Sequence, residues 1–269
     1  MVQTGVNAPG RAAIAARTLR RDKWWLEPLI TFAVFVSFIV YSTIRAFQND
    51  YYYAAPYISP FYSPCLADKC EDEASHFGEP IGDWWGLSPA LLILVVPLGF
   101  RLTCYYYRKA YYRAFWLSPP ACAVAEPHKK YTGETRFPLI GQNLHRYAFY
   151  AVLVFNCLLT YDAAIAFKGD GSADEGHGWG HMGLGTLVFI ANAVLLWLYT
   201  ASCHSCRHAM GGRLNHFSKH PIRYWAWTKV SALNTRHMQF AWLSLFSVAL
   251  TDAYVLCLSS GLFDDPRFF

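Results

Sequence analysis

Five apolar stretches constrain this chain more than any other feature, because each is close to the roughly 20 helical residues needed to cross a hydrocarbon core about 30 Å thick. They run over residues 29–47, 84–102, 147–167, 182–202 and 238–260, and the fourth carries no charged side chain. Inside lipid a backbone must satisfy its own N–H and C=O groups, which leaves helices as the only open structure that can span. The sequence therefore predicts an all-α integral membrane protein, a bundle of five transmembrane helices. Composition agrees: 15% of the 269 residues are charged, against about 25% in a soluble domain. No segment outside the spans is long enough for a second core. One membrane domain over residues 29–260 follows, preceded by a basic arm, 1–28, and closed by a short tail, 261–269.

Lys and Arg sort the non-spanning segments into two sides. Ahead of the first span stand Arg11, Arg17, Arg20, Arg21 and Lys23. Between the second and third stand Arg108, Lys109, Arg113, Lys129, Lys130 and Arg136, and between the fourth and fifth Arg207, Arg213, Lys219, Arg223, Lys229 and Arg236. The alternate segments, 48–83, 168–180 and 261–269, hold only Lys69, Lys168 and Arg267 against twelve acids. Cytoplasmic loops carry the basic excess, so the N-terminus is expected in the cytoplasm and the C-terminus outside. Basic residues that flank apolar spans argue against nucleic-acid binding. The first apolar run is too long for a cleaved signal peptide and no small-residue cleavage site follows it, which reads as an uncleaved signal-anchor. Trp24, Trp25, Trp84 and Trp85 fall at the expected interfaces, where amphipathic rings settle.

The eight cysteines sort by compartment. Cys65 and Cys70 lie in the outer loop, where a nearby pair is a disulfide candidate. Cys104, Cys157 and Cys257 lie in or beside spans and read as small buried hydrophobes. Cys122, Cys203 and Cys206 are on the reducing cytoplasmic side, where close cysteines with histidines point to metal.

The string Cys203-His204-Ser205-Cys206-Arg207-His208 begins where the fourth span ends. It brings thiols and imidazoles together in about a turn and a half, a set suited to zinc or an iron–sulfur centre. His145 opens the third span and His237 the fifth, from the same side, so three helix ends converge at one membrane depth. Cys203, Cys206, His208 and His237 are the candidate metal ligands, with Cys122 and His204 as reserves and His145 also within the set. Three chemistries remain open on these residues: a structural zinc, a haem held by a pair among His145, His208 and His237, and a Rieske-type [2Fe–2S] centre, which takes two thiolates on one iron and two imidazoles on the other. The usual C-x-H and C-x-x-H spacing of Rieske motifs is absent.

LWLYTASCHSCRHAMGG, with FPLIGQNLHRY before it and TRHMQFAW after it, resembles the membrane-anchor subunit of actinobacterial succinate dehydrogenase, respiratory complex II, of the type with a single anchor chain. The resemblance covers most of the chain from the first span to the fifth. It implies a bacterial plasma-membrane protein that docks a flavoprotein and an iron–sulfur subunit, possesses no succinate chemistry alone, and passes electrons to menaquinone or ubiquinone. In this type the anchor holds a Rieske-type cluster where other anchors hold haem b, and the complex can associate further. A quinone headgroup needs donors in an apolar slot. His145, Arg146 and Tyr147 offer them at the head of the third span, with Trp225 as a wall. A haem b anchor and a zinc-bearing transporter or scaffold are the competing functions. Transporters show broken helices or repeats, which the sequence does not display. Asp162 and Asp252 lie about fifteen residues into their spans and are expected near each other, each either a step of a proton path or a protonated carboxyl bonded to a neighbouring Thr or Tyr.

Overall fold

The computed structural model describes residues 20–71, 74–124, 126–127, 133–137, 139–168 and 179–268. The arm 1–19 and the positions of His128, Lys129 and Lys130 lie outside the described residues. The helices are α1 Leu26–Gln48, α2 Pro89–Ile93, α3 Val95–Thr103, α4 Tyr105–Ala114, α5 His145–Ile165, α6 Leu184–Ala201, α7 His204–Gly211, α8 Pro221–Asn234 and α9 His237–Ser259. The only paired strands among the described residues, β1 Tyr53–Ala54 and β2 Tyr57–Ile58, form a small antiparallel hairpin. The protein is all-α and multi-pass. Among the described residues four helices are long and apolar enough to cross a bilayer: Leu26–Gln48, Leu139–Ile165 (α5 with the 3-10 turn before it), Leu184–Ala201 and His237–Ser259. Their ends fall close to four of the five expected spans.

The stretch expected as the second span differs. Helix α2 stops at Ile93 and α3 starts at Val95. The cause is Pro97: it has no N–H to give the carbonyl four residues back, at Ile93, and its ring crowds that carbonyl. Pro89, just after the Ser88 cap, sits where its fixed φ suits a helix start. Residues 89–103 rise roughly 22 Å as helix, short of a 30 Å core. The ladder loses this one bond, while Leu94 keeps helical backbone angles and the bonds from Leu94 N–H to the Ala90 carbonyl and from Leu98 N–H to the Leu94 carbonyl, both 2.9 Å, continue on either side.

Two compact units share the chain: 1–40 with 102–144, and 41–101 with 145–269. In the first, Phe32 and Phe35 of α1 pack on Phe115 and Tyr107, with ring centroids 4.9 and 5.6 Å apart. Arg108 pairs with Glu134 at 3.0 Å, and the Tyr111 hydroxyl donates to the Leu102 carbonyl.

In the second unit α6 packs on α9 and α5 on α6. Tyr57, Ala163, Ala166, Phe189, Ala193 and Val255 form a buried cluster. The Tyr57 ring lies on Gly185, where a Cβ would sit 2.5 Å from Cζ, so this approach requires glycine. Residues 57–65 are almost wholly buried. What read as an outer loop is a plug set into the bundle end, and Cys65 and Cys70 close it with a disulfide, their Cα atoms 5.8 Å apart. Cys104 is buried, whereas Cys157 is exposed on the lipid side of α5 and so is not the buried hydrophobe expected there. Leu29, Ile30, Val36, Ile39 and Ile44 of α1 are likewise exposed, as a lipid-facing helix requires.

The two aspartates have different surroundings, and the tyrosine partner expected for such a carboxyl is present at Asp252. Asp252, fully buried, accepts from Arg45 Nε at 2.8 Å, Tyr41 Oη at 2.5 Å and Ser59 Oγ at 2.5 Å. Asp162 accepts from Ser63 Oγ at 2.5 Å. The serines at 59 and 63 thus pin the plug to α9 and α5. A buried ion pair is costly to break, because the surviving charge has no solvent. Asp252→Ala is expected to destabilise the protein by about 3–5 kcal/mol in thermal unfolding in detergent, and the double variant Arg45→Leu/Asp252→Leu to recover most of that loss.

Candidate functional site

The site lies where the start of α5, the end of α6, α7 and the start of α9 meet, all within the second unit. Helix α6 ends at Ala201, and the chain turns through Ser202 and Cys203 into α7. Cys203 is the N-cap of α7, its Sγ accepting the Ser205 N–H at 3.4 Å. This local turn aims the Cys203 sulfur back at the bundle. Cys203 is 1% exposed and Cys206 7%, so both thiols face protein rather than lipid or water. Burial pushes the Cys206 thiol up from the ordinary cysteine range.

Two imidazoles face this turn. His145 Nε2 lies 3.0 Å from Cys203 Sγ, and His237 Nδ1 lies 2.7 Å from Ser202 Oγ. Consecutive residues of one turn therefore hold a histidine from α5 and one from α9. Each ring stacks on an aromatic: His145 on Phe100 at 5.0 Å and 12°, His237 on Tyr199 at 5.2 Å and 13°. Phe100 meets Tyr199 edge-on at 5.2 Å. Arg101 closes the group. Its guanidinium covers the Tyr199 ring at 4.9 Å and donates to Ser244 Oγ and the Ala241 carbonyl of α9. Asn234 Nδ2 donates to the Ser202 carbonyl at 2.7 Å, fixing the turn from α8.

Of the remaining candidate residues, His204 is near enough to His237 for the two rings to interact electrostatically. His208 is exposed, with Nδ1 2.8 Å from Arg146 Nη2, and His204 is exposed on the same helix. Tyr147 is 71% exposed and Trp225 63%. Lys229 stands over the Trp225 ring. Cys122 belongs to the first unit and is exposed, its carbonyl accepting from Arg20 at 2.9 Å. Among the described residues no three His, Cys, Asp or Glu side chains converge closely enough to hold a single metal ion. Helix α8 packs on α7 by seating Trp227 on Gly211, where a Cβ would be 2.2 Å from Cδ1. Arg223 donates to the carbonyls of Ala209, Met210 and Gly212 and so satisfies the open C-terminus of α7. Sequence reasoning missed Phe100, Arg101, Tyr199 and Ser202. The one available signal was Arg101, a charged residue at the edge of an apolar span.

Long apolar helices around a buried thiol–imidazole turn define a multi-pass membrane chain with its polar chemistry at one end of the bundle. Residues 26–261 match the family described as actinobacterial succinate dehydrogenase subunit SdhC, and the chain belongs to that family. A solved structure described as the Mycobacterium smegmatis Sdh1 complex in the apo form contains a chain 53% identical, superposing with a TM-score of 0.86 over 97% of this chain and 95% of that one. No curated protein matches the chain. The protein is thus a membrane subunit of bacterial succinate dehydrogenase, and it serves an enzyme complex rather than catalysing alone.

The thiolate is the reactive form of cysteine, and burial opposes the charged form. In chelator-treated protein Cys206 is expected to react with iodoacetamide with a pH midpoint above that of a cysteine in a short peptide. A midpoint at or below the peptide value would contradict the buried setting.

Proposed function

We propose that this chain is the quinone-reducing anchor of succinate:quinone oxidoreductase and that it carries electrons through a Rieske-type [2Fe–2S] centre at the Cys203 turn. It crosses the plasma membrane five times, the α2–α3 segment being the second crossing, with its N-terminus in the cytoplasm and its C-terminus outside. The Lys and Arg distribution supports that orientation. The flavoprotein and iron–sulfur subunits dock on the basic cytoplasmic face, and menaquinone or ubiquinone is the acceptor.

The observation that carries the redox reading is the contact of His145 Nε2 with Cys203 Sγ, beside buried Cys206 and next to the residue that holds His237. A two-iron centre of this type divides its ligands into a thiolate pair and an imidazole pair. It therefore asks for two pairs rather than three groups around one ion. Cys203 and Cys206 are the thiolate pair, and His145 and His237 the imidazole pair. Ligating histidines have the second ring nitrogen tied to a partner that fixes the tautomer, and Ser202 Oγ does this for His237 Nδ1, leaving Nε2 as the donor. His208 is a poorer ligand than the sequence suggested, because a guanidinium N–H of Arg146 already faces its ring nitrogens.

When bound, the centre accepts and passes single electrons at a potential raised by its imidazole ligands. The rest of the work falls to the chain itself. Burial around Cys203 and Cys206 excludes water. Arg101 braces the Tyr199 ring against His237. Arg146 and His208, exposed side by side, hydrogen-bond a quinone carbonyl and hold the proton that its reduction needs, with Tyr147 and Trp225 on the apolar rim.

EPR of the reduced complex, isolated by a tag on this chain, tests the assignment. A Rieske-like signal is expected in the wild type and in His208→Ala, and is expected to vanish in Cys203→Ser, Cys206→Ser and His145→Ala. Loss in His208→Ala with retention in His145→Ala would reverse the imidazole assignment. A sharp haem α-band in the reduced optical spectrum, with no such EPR signal, would assign the site to haem b.

A further inference from the structure

Asp162 on α5 and Asp252 on α9 lie far from the Cys203 turn, at the end of the bundle closed by the plug, and their surroundings are opposite. Asp252 faces the Arg45 guanidinium, which approaches both of its oxygens, at 2.8 and 3.3 Å. Asp162 is 3% exposed. Its Oδ2 accepts one hydrogen bond, from Ser63 Oγ at 2.5 Å, and its Oδ1 has no partner among the described residues.

The elements around Asp162 offer no counter-charge. Helix α6 contains no charged residue. The plug presents Ser63, with Tyr57 packed on Ala163 and Ala166. The neighbouring titratable groups are Tyr161 on α5 itself and His76, whose ring meets Tyr161 edge-on at 6.0 Å. Arg45, the buried cation of this end, is committed to Asp252, Gln48 and the carbonyls of Asp50 and Tyr51. A buried carboxylate with one hydroxyl donor and no cation is far more costly than a buried neutral carboxyl.

We propose that Asp162 is a proton-carrying site of this bundle: a neutral carboxylic acid, hydrogen-bonded through Ser63 to the plug, that can release and regain one proton, in contrast to Asp252, which is paired with Arg45. The exchange is acid–base only: the carboxyl O–H at Oδ1, the oxygen that Ser63 does not occupy, breaks, a solvent water reaching the plug end takes the proton as hydronium and later returns it, and no electron moves. The assignment stands on the surroundings of Asp162 and is independent of what the Cys203 turn binds.

Infrared difference spectroscopy on the intact detergent-solubilised complex at neutral pH reads this directly. Wild type minus Asp162→Asn is expected to show the carbonyl stretch of a protonated carboxyl group, displaced on exchange into D2O. Ser63→Ala keeps the carboxyl but removes its donor, so wild type minus Ser63→Ala is expected to show that band shifted to higher frequency rather than lost. This second variant keeps the test open should Asp162→Asn fail to assemble. A carboxylate band in place of the protonated one, or no shift in Ser63→Ala, would overturn the proposal.

Discussion

A bilayer offers no hydrogen-bond partner, so each polar group inside this bundle has to be answered by another part of the chain. That constraint organises the molecule. Arg45 and Asp252 answer each other across α1 and α9. Asn156 of α5 donates to Thr200 Oγ1 of α6 at 2.9 Å, and Ser247 of α9 donates to Asn192 Oδ1 of α6 at 3.1 Å. His237 and Ser202 join α9 to the end of α6. Such pairs fix which helix faces meet, a matter that apolar side chains in lipid leave largely unspecified.

The two ends of the second unit solve the problem differently. At one end the plug 57–65 brings its own serines and tyrosines into the bundle. The Tyr62 hydroxyl donates to the Arg45 carbonyl at 2.6 Å, and the Tyr57 hydroxyl to Asp265 at 2.6 Å. At the other end the chain turns sharply at residues 202–203, and the groups that gather there are sulfur and imidazole, with the Arg101 guanidinium over the Tyr199 ring. Aromatic rings stack on both histidines, which shields the turn from solvent and fixes the ring planes.

Much of this was legible in the sequence, and the misses have physical causes. Four spans were readable to within a few residues because apolar length alone decides them. The break at Pro97 was readable in principle from the lost N–H, but the continuous apolar run around it concealed the effect. The partner of Arg45 lies 207 residues away, so local pattern gave no access to that ion pair. The plug looked like an outer loop because loops are polar on average, yet YISPFYSPC is aromatic and uncharged, a composition that suits burial. The CHSCRH string begins at the turn after α6, but its spacing could not show that the His145 ring meets the Cys203 sulfur and the His208 ring an arginine, because those contacts join residues about 60 positions apart.

The central claim is that the Cys203 turn holds a two-iron centre. Iron analysis of the purified complex tests it most directly, comparing the wild type with Cys203→Ser/Cys206→Ser in preparations of equal flavin content. The wild type is expected to carry about two more iron atoms per anchor chain, with matching acid-labile sulfide. Equal iron and sulfide in the two preparations would contradict the claim.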